Sequence, residues 1–330
     1  MAILVTGCAG FIGFHVTKAL IHNGSKVIGI DSMNDYYDVQ LKIDRLSEIG
    51  IDFKVSNSQD PISVDNLDFY HADISESLIW EILSNTKIDG IIHLAAQAGV
   101  RYSIENPMAY LKSNIIGFQR VIDFALTLNG PFIYASSSSV YGLSSEQPFL
   151  ETESCNNPES YYAATKKSNE MVAISYFSTK GLKSVGLRFF TVYGPWGRPD
   201  MAPMLFAKAA NGDGEIKVFN EGNQSRDFTY ITDIVEGILA VYSKFHENIH
   251  GAEVLNIGRG EPVSLMEFIN FIEMNFNIKF NKILMPKQPG DVNVTYASTL
   301  KLQELFGYEP KVTLENGISK FANWYKSYYK

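Results

Sequence analysis

The fold of this chain is decided by the stretch Thr6-Gly7-Cys8-Ala9-Gly10-Phe11-Ile12-Gly13. Four apolar residues, 2–5, lead into it, and an amphipathic helical pattern over residues 11–22 starts inside it. Its three glycines permit a tight turn, the close approach of a pyrophosphate, and close packing of a helix on a sheet. The helix N-terminus adds N–H groups and a positive dipole end that attract phosphate oxygens. The residues that we expect to bind a dinucleotide here are Gly7, Gly10, Phe11, Ile12 and Gly13.

An acid follows the second apolar run of the chain. That run, residues 26–30, leads to Asp31, which lies roughly 20–25 residues after the first glycine of the turn. An acid at this distance accepts a hydrogen bond from a ribose 2′-hydroxyl and repels a 2′-phosphate. NAD is therefore the expected cofactor, rather than NADP. The alternative is that Asp31 only caps a loop.

The first half of the chain alternates short apolar runs with amphipathic stretches. The apolar runs predict buried strands at 2–5, 26–30, 67–71, 90–94, 131–135 and 184–188. The amphipathic stretches predict helices at 11–22, 78–83, 107–128 and 160–178. This alternation predicts the α/β class, with a Rossmann-type doubly wound parallel sheet.

The alternation breaks after Arg188. Residues 193–203 are rich in glycine and proline, and residues 211–223 are polar. Further on, the pattern predicts helices at 231–244 and about 264–274, with a strand at 254–257 between them. We predict an NAD-binding domain over residues 1–188, to which segments near 230–258 return. Residues 189–330 are predicted to form mainly a smaller C-terminal α/β lobe that binds the substrate.

Composition and charge narrow the possible partners. Of the 330 residues, 45% are hydrophobic and 19% are charged, as in ordinary globular proteins. The net charge of −8 argues against a nucleic acid or an anionic membrane as partner. The two cysteines, Cys8 and Cys155, have no spacing typical of a metal site, and no metal is expected. No apolar run is long enough for a signal peptide or a membrane span, so we expect a cytoplasmic protein.

A tyrosine and a lysine stand four residues apart in Tyr162-Ala163-Ala164-Thr165-Lys166. On a helix this spacing places both side chains on one face, one turn apart. A nearby lysine lowers the phenol pKa, so that the phenol can take a proton from a hydroxyl while hydride leaves the same carbon. Tyr161 is the rival phenol, but its partner at that spacing is Thr165. The alternative is a Tyr and a Lys on a solvated helix face.

The glycine spacing G-x-x-G-x-x-G resembles the extended branch of the short-chain dehydrogenase/reductase superfamily, and in particular its NAD-dependent epimerase/dehydratase family. The resemblance covers essentially the whole chain. It implies that Asp73 and Ile74 lie near the adenine and that residues 93–97 lie beside the cofactor. From that segment the implied NAD-binding residues are Leu94, Ala95 and Ala96. The resemblance also makes Tyr162 and Lys166 the catalytic pair, with Lys166 binding NAD as well.

A serine run, 136–139, ends the fifth predicted strand. The resemblance implies that Ser137 is the third catalytic residue, bonded to the reacting hydroxyl, and that Ser138 and Ser139 line the same pocket. Relatives that eliminate water or decarboxylate generally carry an acid in this segment. Its absence here predicts hydride transfer without elimination, which means epimerisation at C4. The alternative is a serine-rich turn that caps the strand.

The stretch most typical of one substrate is Leu187-Arg188-Phe189-Phe190-Thr191-Val192-Tyr193-Gly194-Pro195-Trp196-Gly197-Arg198-Pro199-Asp200-Met201-Ala202. It closely resembles UDP-glucuronate 4-epimerases, as do residues 97–103, 226–230 and 289–292. The resemblance implies a UDP-sugar substrate whose carboxylate receives charge-assisted hydrogen bonds. The implied carboxylate ligands are Thr191 and Arg198, with Arg101 as a further candidate. The remaining substrate-binding candidates are Arg226 for the diphosphate, Phe219 facing the uracil, and Asp291.

Several alternatives stay open. A UDP-hexose or UDP-N-acetylhexosamine 4-epimerase would share the catalytic residues and differ around residues 191–202. A 4-keto reductase would consume reduced cofactor, and a non-catalytic NAD sensor would not need the Tyr–Lys pair. Each arginine has the alternative of a surface ion pair. The resemblance also implies a homodimer formed through helices 107–128 and 160–178.

Overall fold

The computed structural model describes residues 2–54, 59–144, 147–287 and 293–330. Its strands are β1 (Ala2–Thr6), β2 (Lys26–Asp31), β3 (Ile62–Val64), β4 (Leu67–His71), β5 (Ile88–His93), β6 (Phe132–Ser137), β7 (Ser184–Phe189), β8 (Thr191–Tyr193), β9 (Glu215–Phe219), β10 (Ser225–Tyr230), β11 (Ala252–Ile257), β12 (Pro262–Ser264), β13 (Asn281–Met285) and β14 (Val294–Thr295). Its α-helices are α1 (Phe11–His22), α2 (Val39–Ser47), α3 (Ser77–Leu83), α4 (Tyr102–Glu105), α5 (Pro107–Tyr110), α6 (Phe118–Ala125), α7 (Tyr161–Lys180), α8 (Ala202–Ala210), α9 (Ile231–Ser243), α10 (Phe245–Asn248), α11 (Leu265–Phe276), α12 (Leu300–Phe306) and α13 (Leu314–Tyr328).

An eight-stranded sheet forms the centre of the molecule, in the order β11-β7-β6-β5-β1-β2-β4-β3. Neighbouring strands are parallel except at the edge, where β3 runs antiparallel to β4. The strand order reverses between β1 and β5. In open α/β sheets, ligands bind outside the carboxyl ends of the strands at such a reversal. The predicted Rossmann-type sheet is confirmed.

Both faces of this sheet are buried. Successive side chains of a strand point to opposite faces, and in β1 Val5 and Leu4 belong to two separate apolar clusters. Helices α1 and α9 pack together, as do α3 and α6. Burial on both faces is the reason that the strands read as continuous apolar runs in the sequence.

The C-terminal part of the chain adds smaller sheets. Strand β10 pairs with β8, β12 and β14, and β9 pairs with β13. Strand β11 pairs in parallel with β7 and so lies in the main sheet. The sequence does not predict β9 because its burial alternates and leaves no apolar run. The division of the chain at residue 188 remains a prediction.

The helix predicted over residues 107–128 contains a π-helical turn, Leu111–Gly117, between α5 and α6. Within this turn, Asn114 Oδ1 accepts from Gln97 N at 2.8 Å and Asn114 Nδ2 donates to Gln97 O at 3.0 Å. Such turns insert a residue into a helix and often occur near functional sites. The predicted helix is thus confirmed over residues 107–125, but the π-helical turn was not predicted, because apolar spacing does not reveal one inserted residue.

Candidate active site

A cavity of about 950 Å³ lies at the carboxyl edge of the main sheet. It is lined by every site residue predicted from the sequence that the structure describes: Gly7, Gly10, Phe11, Ile12, Gly13, Asp31, Asp73, Ile74, Leu94, Ala95, Ala96, Arg101, Ser137, Ser138, Ser139, Tyr162, Lys166, Thr191, Arg198, Phe219 and Arg226. Asp291 lies outside the described residues. The tertiary structure thus brings the predicted cofactor, catalytic and substrate residues into one space.

The glycine turn lies against the backbone at the end of β5. Gly7 has a φ of +74°, and a Cβ on it would lie 2.7 Å from Ala95 N. A Cβ on Gly13 would lie 2.0 Å from Gly7 O. The first N–H groups of α1 have no partner within the helix. The turn therefore leaves its backbone open to a pyrophosphate at a place where a side chain does not fit.

Asp31 is buried at the end of β2 beside this turn. Its Oδ2 accepts from Ala9 N at 3.1 Å, and its Oδ1 accepts from Met33 N at 2.9 Å. Lys42 Nζ, on α2, lies 3.5 Å from Oδ1. These contacts fix the carboxylate at the cavity wall, where the sequence predicts a ribose. The sequence did not point to Lys42, because nothing in the pattern of 39–47 sets it apart from a surface lysine.

Asp73 lies at the other side of the predicted adenine pocket, next to Ile74. Its Oδ1 accepts from the Ser75 amide at 2.9 Å, and Lys112 Nζ lies 2.9 Å from its Oδ2. Burial raises the pKa of Asp73, but the hydrogen bonds from Ser75 and Lys112 outweigh it, and the net pKa is lowered. Asp73 is thus an ionised acceptor near neutral pH.

The Tyr–Lys pair lies in the first turns of α7. Ser160 caps this helix by accepting from Ala163 N at 3.1 Å. Lys166 is almost fully buried and donates from Nζ to Ala135 O at 2.8 Å, which holds α7 against the end of β6. Burial lowers the pKa of Lys166 to about 7. Lys166 can therefore hold or release a proton near neutral pH.

Tyr162 lines the cavity, whereas its rival Tyr161 is exposed. The net pKa of Tyr162 is raised, because burial outweighs the hydrogen bond with Ser137 and the positive charge of Arg198, which both lower it. The Ser137 hydroxyl also lies 3.1 Å from Ser139 Oγ. Ser137 and Tyr162 are therefore close enough to bond the same hydroxyl of a substrate. The groups that lower the pKa of the phenol are Ser137 and Arg198, and an effect of Lys166 remains a prediction.

The substrate end of the cavity is built from separate parts of the chain. Thr191 begins β8, which pairs with β10. The guanidinium of Arg101 lies 5.2 Å above the ring of Phe219. Arg226 donates from Nη2 to Gln224 Oε1 at 2.9 Å and from Nη1 to the Ser225 carbonyl at 2.9 Å.

Arg198 is held by an acid that the sequence did not single out. Its Nε donates to Asp200 Oδ1 at 3.1 Å, and its Nη2 donates to Asp200 Oδ2 at 2.5 Å. Tyr36, in the loop after β2, donates to the same Oδ2 at 3.1 Å. Burial lowers the pKa of Arg198, but Asp200 outweighs it and the net pKa is raised. Arg198 is thus a fixed cation facing the cavity.

A buried ion pair next to the predicted catalytic residues is a second feature that was not predicted from the sequence. Glu170 accepts from Ser136 Oγ at 2.7 Å, and from Arg188 Nε at 2.8 Å. Glu170 lies four residues after Lys166, on the same helix face as Tyr162. Glu170 follows Lys166 by four residues, as Lys166 follows Tyr162, and this spacing was the sequence signal from which its position could have been predicted. The pair joins α7 to β6 and β7.

Within the described ranges, no cluster of His, Cys, Asp and Glu could hold a metal ion. Both cysteines are free. Among the same residues, no helix has the length and apolar character needed to cross a bilayer.

Comparison with known proteins agrees with this geometry. Residues 3–258 match the model of the NAD dependent epimerase/dehydratase family. The chain is 46% identical to Protein CapI from Staphylococcus aureus, with complete coverage of both chains. It is 41% identical to UDP-glucuronate 4-epimerase 4 from Arabidopsis thaliana, over 100% of this chain and 76% of that protein.

Solved structures show the same similarity. The crystal structure of UDP-glucuronic acid 4-epimerase from Bacillus cereus, in complex with UDP-glucuronic acid and NAD, superposes with a TM-score of 0.88. It is 32% identical to this chain, and both chains are fully covered. The cofactor is NAD, and the glycine turn, Asp31 and Asp73 are the residues that fit it. The chain belongs to the NAD dependent epimerase/dehydratase family.

Proposed function

We propose that this protein is a UDP-glucuronate 4-epimerase, which interconverts UDP-glucuronate and UDP-galacturonate through a transient 4-keto sugar. The observation that carries the proposal is the position of Arg198 in the same cavity as Tyr162, near enough for its positive charge to act on the phenol. A cation fixed beside the catalytic phenol suits a sugar with a carboxylate next to the reacting carbon, because guanidinium and carboxylate form paired charge-assisted hydrogen bonds. The relatives named as UDP-glucuronate 4-epimerases support the same substrate.

The catalytic roles follow from the positions of three side chains. NAD held by the glycine turn, Asp31 and Asp73 would supply the redox chemistry, as acceptor of a hydride from C4 of the sugar and donor of the same hydride to the opposite face. Tyr162 takes the proton of the C4 hydroxyl, and Ser137 bonds the same oxygen. Lys166 exchanges a proton near neutral pH because burial lowers its pKa to about 7. General acid–base catalysis of this kind contributes roughly 10²- to 10⁴-fold to a rate.

The serine run supports epimerisation over elimination. Ser138 and Ser139 line the cavity next to Ser137. The family resemblance implies an acid in this segment in relatives that eliminate water. A hydroxyl is too weak an acid to protonate a leaving hydroxyl. The strand end can therefore orient a sugar, and we expect no loss of water from it.

A uronate substrate carries a chemical hazard. Oxidation at C4 produces a β-keto acid, which loses carbon dioxide readily. We propose that Thr191 and Arg198 hold the carboxylate out of the geometry that favours cleavage of the carbon–carbon bond. The same hydrogen bonds then bind the substrate carboxylate and protect it from decarboxylation.

A second candidate function is 4-epimerisation of a UDP-hexose or UDP-N-acetylhexosamine. The observation that favours it is the bidentate pairing of Arg198 with Asp200, which already occupies Nε and Nη2 of the guanidinium. If that pair persists with substrate bound, the pocket is suited to a neutral sugar. A UDP-glucose 4-epimerase from Thermotoga maritima, 29% identical, superposes with a TM-score of 0.87.

NMR of the anomeric protons separates the two candidates. Purified protein is incubated with UDP-glucuronate, without added reductant, and with Tyr162→Phe as the inactive control. We expect UDP-galacturonate to grow to a fixed ratio without net NADH. If UDP-glucuronate stays unchanged with NAD supplied while UDP-glucose or UDP-N-acetylglucosamine is converted, the uronate assignment fails and the second candidate stands.

We further propose that the protein forms a homodimer through α5, α6, α7 and the π-helical turn. Exposed apolar side chains on these segments support this, namely Met108, Ile116, Met171, Ile174 and Phe177. Burying such side chains is favourable by about 25 cal/mol per Å². Light scattering on the wild type and on Ile174→Lys tests the proposal, with a lower mass expected for the variant.

A further inference from the structure

Arg45, on α2, is a completely buried arginine that the catalytic mechanism does not use. Its guanidinium donates from Nη1 to Ala9 O at 2.9 Å and to Tyr37 OH at 2.7 Å. It donates from Nη2 to Trp196 O at 2.6 Å and from Nε to the same oxygen at 3.2 Å. These partners are oxygens of neutral groups. Burying a charge costs free energy unless its hydrogen bonds are made. The buried, fully bonded guanidinium therefore indicates that Arg45 has a structural role.

The partners of Arg45 come from two segments of the chain, one at the predicted NAD-binding end of the cavity and one at the predicted sugar-binding end. Ala9 lies in the glycine turn that fits the pyrophosphate of NAD. Trp196 and Gly197 come immediately before Arg198, and Gly197 O also lies 3.4 Å from Arg45 Nη2. One planar side chain thus joins the cofactor turn to the backbone that presents Arg198.

The backbone at Trp196 needs such support. Trp196 has a φ of +62°, in the left-handed region, which costs a residue with a Cβ roughly 1–2 kcal/mol. A strained conformation of this kind persists only where the surroundings fix it. Two hydrogen bonds from Arg45 to the Trp196 carbonyl fix it here.

Two further side chains of the cofactor-binding half hold the same segment. His15, on α1, lies with Nε2 2.9 Å from Pro195 O, and burial lowers its pKa to about 4. The imidazole is therefore neutral at working pH and donates to the carbonyl. Phe14 packs edge-on against the Trp196 ring, with centroids 5.8 Å apart. The segment from Pro195 to Arg198 is thus attached to the part of the protein that binds NAD.

We propose that Arg45 is a positioning residue that sets the place of Arg198 relative to the bound cofactor. The inference rests on the proposed function, in which Arg198 binds the sugar carboxylate. Arg45 touches neither reacting atom and acts through the carbonyls of Trp196 and Gly197. Its geometry, with donors on three nitrogens in one plane, cannot be reproduced by an ammonium group.

A double-mutant cycle between Arg45→Lys and Arg198→Ala tests the proposal on the NAD-bound enzyme. For UDP-glucuronate, we expect Arg45→Lys to raise KM about tenfold and to change kcat by less than about threefold. In the Arg198→Ala background, the same lysine substitution should change KM by less than about twofold, because there is no guanidinium left to place. Lys311→Met, which removes an exposed cation paired with Glu236, is the control and should behave like the wild type.

Loss of folding would be recognised from bound NAD and the thermal midpoint of each variant. If Arg45→Lys does not fold, His15→Leu removes the Pro195 contact and should raise KM in the same direction, again only when Arg198 is present. Additive effects in the cycle, or an unchanged KM in a folded Arg45→Lys enzyme, overturn the positioning role. A wild type that does not convert UDP-glucuronate at all refutes the proposed function instead, and the cycle is then run on the UDP-sugar that it does convert.

Discussion

The glycine turn at the cofactor end of the cavity is held by backbone contacts, whereas the substrate end is held by side-chain contacts. At the first, Gly7 and Gly13 bring backbone atoms so close that an added Cβ would overlap them. At the second, Arg198 is fixed by Asp200, and Arg101 lies over Phe219. Closely packed backbone tolerates no added atom, whereas side-chain pairs can be exchanged singly. The cofactor end should therefore be intolerant of change, and the substrate end adjustable.

The strongest test of this contrast is Gly13→Ala. Its Cβ would lie 2.0 Å from Gly7 O, and neither backbone can move without opening the turn. We expect no bound NAD in the purified protein and no epimerase activity, measured by NAD release on denaturation and by NMR. Gly212→Ala is the control, because its Cβ would lie 3.4 Å from the nearest atom, Lys208 O. A Gly13→Ala protein that retains NAD would contradict the contrast.

The junction of the two ends is tested by Tyr162→Phe. Removing the phenolic oxygen should lower kcat by about 10²- to 10⁴-fold, the usual contribution of a general acid–base group. Bound NAD should be unchanged, because the ring still packs. Tyr161→Phe, an exposed neighbour, should retain wild-type turnover. If the two variants exchange these outcomes, the catalytic phenol has been assigned to the wrong tyrosine.

At the substrate end, Arg198→Ala should have a smaller and more selective effect. A hydrogen bond to a charged group is worth about 1.5–3 kcal/mol, so kcat/KM for UDP-glucuronate should fall about 10- to 150-fold. Some pentose product should also appear, because the carboxylate is no longer held. Arg259→Ala, which removes the Arg259–Glu261 ion pair outside the cavity, serves as control. Turnover and products like those of the wild type would show that Arg198 does not bind the substrate carboxylate.

The buried lysine between the two ends predicts a pH effect on stability. Burial lowers the pKa of Lys166 to about 7, against about 10.4 in an unfolded chain. Between these values the unfolded state binds more protons, so the free energy of unfolding should rise with pH by up to about 1.4 kcal/mol per unit. Urea denaturation at about pH 7, 8 and 9 measures this slope, which Lys166→Met should flatten. Equal slopes in both proteins would mean that Lys166 stays charged.

The smallest effect is expected for Asp200→Asn. The amide keeps the Tyr36 contact but no longer competes as a carboxylate for Arg198. We expect KM for UDP-glucuronate to fall about threefold, in the range of a partly exposed ion pair, while binding of UDP-glucose is unchanged. Inhibition constants for both nucleotide sugars provide the measurement. A rise in KM would show instead that the fixing of Arg198 by Asp200 matters more for binding than the competition of Asp200 with the substrate carboxylate.

Most of the main sheet could be predicted because its strands are buried on both faces. Residues 67–71 were predicted without error, and β6 and β7 lie within two residues of their predicted bounds. The strands of the C-terminal part were largely missed, since β8, β12 and β14 are only two or three residues long and the residues of β9 alternate between exposed and buried. The π-helical turn was missed because one inserted residue leaves the apolar pattern of a helix almost unchanged.

The predicted site residues were found together, but the contacts that fix them were not predicted. Tyr162 and Lys166 share a helix face because of their spacing alone. Asp200 pairs with Arg198 and accepts from Tyr36, and Glu170 pairs with Arg188. Of these three contacts, only that between Arg198 and Asp200 is local in sequence. A pairing between distant residues leaves no periodic signal in a single sequence.

The sequence by itself determined the cofactor end, because a glycine turn between a strand and a helix, followed by Asp31, allows few other backbone arrangements. It also determined the Tyr–Lys pair, whose geometry is set by one helix. The tertiary structure alone decided how Arg45 joins the turn to Trp196 and how Asp200 holds Arg198. The physical reason is the distance along the chain over which the interactions act. Backbone conformation is encoded by neighbouring residues, whereas the position of a side chain in the cavity depends on contacts that form only when distant segments pack.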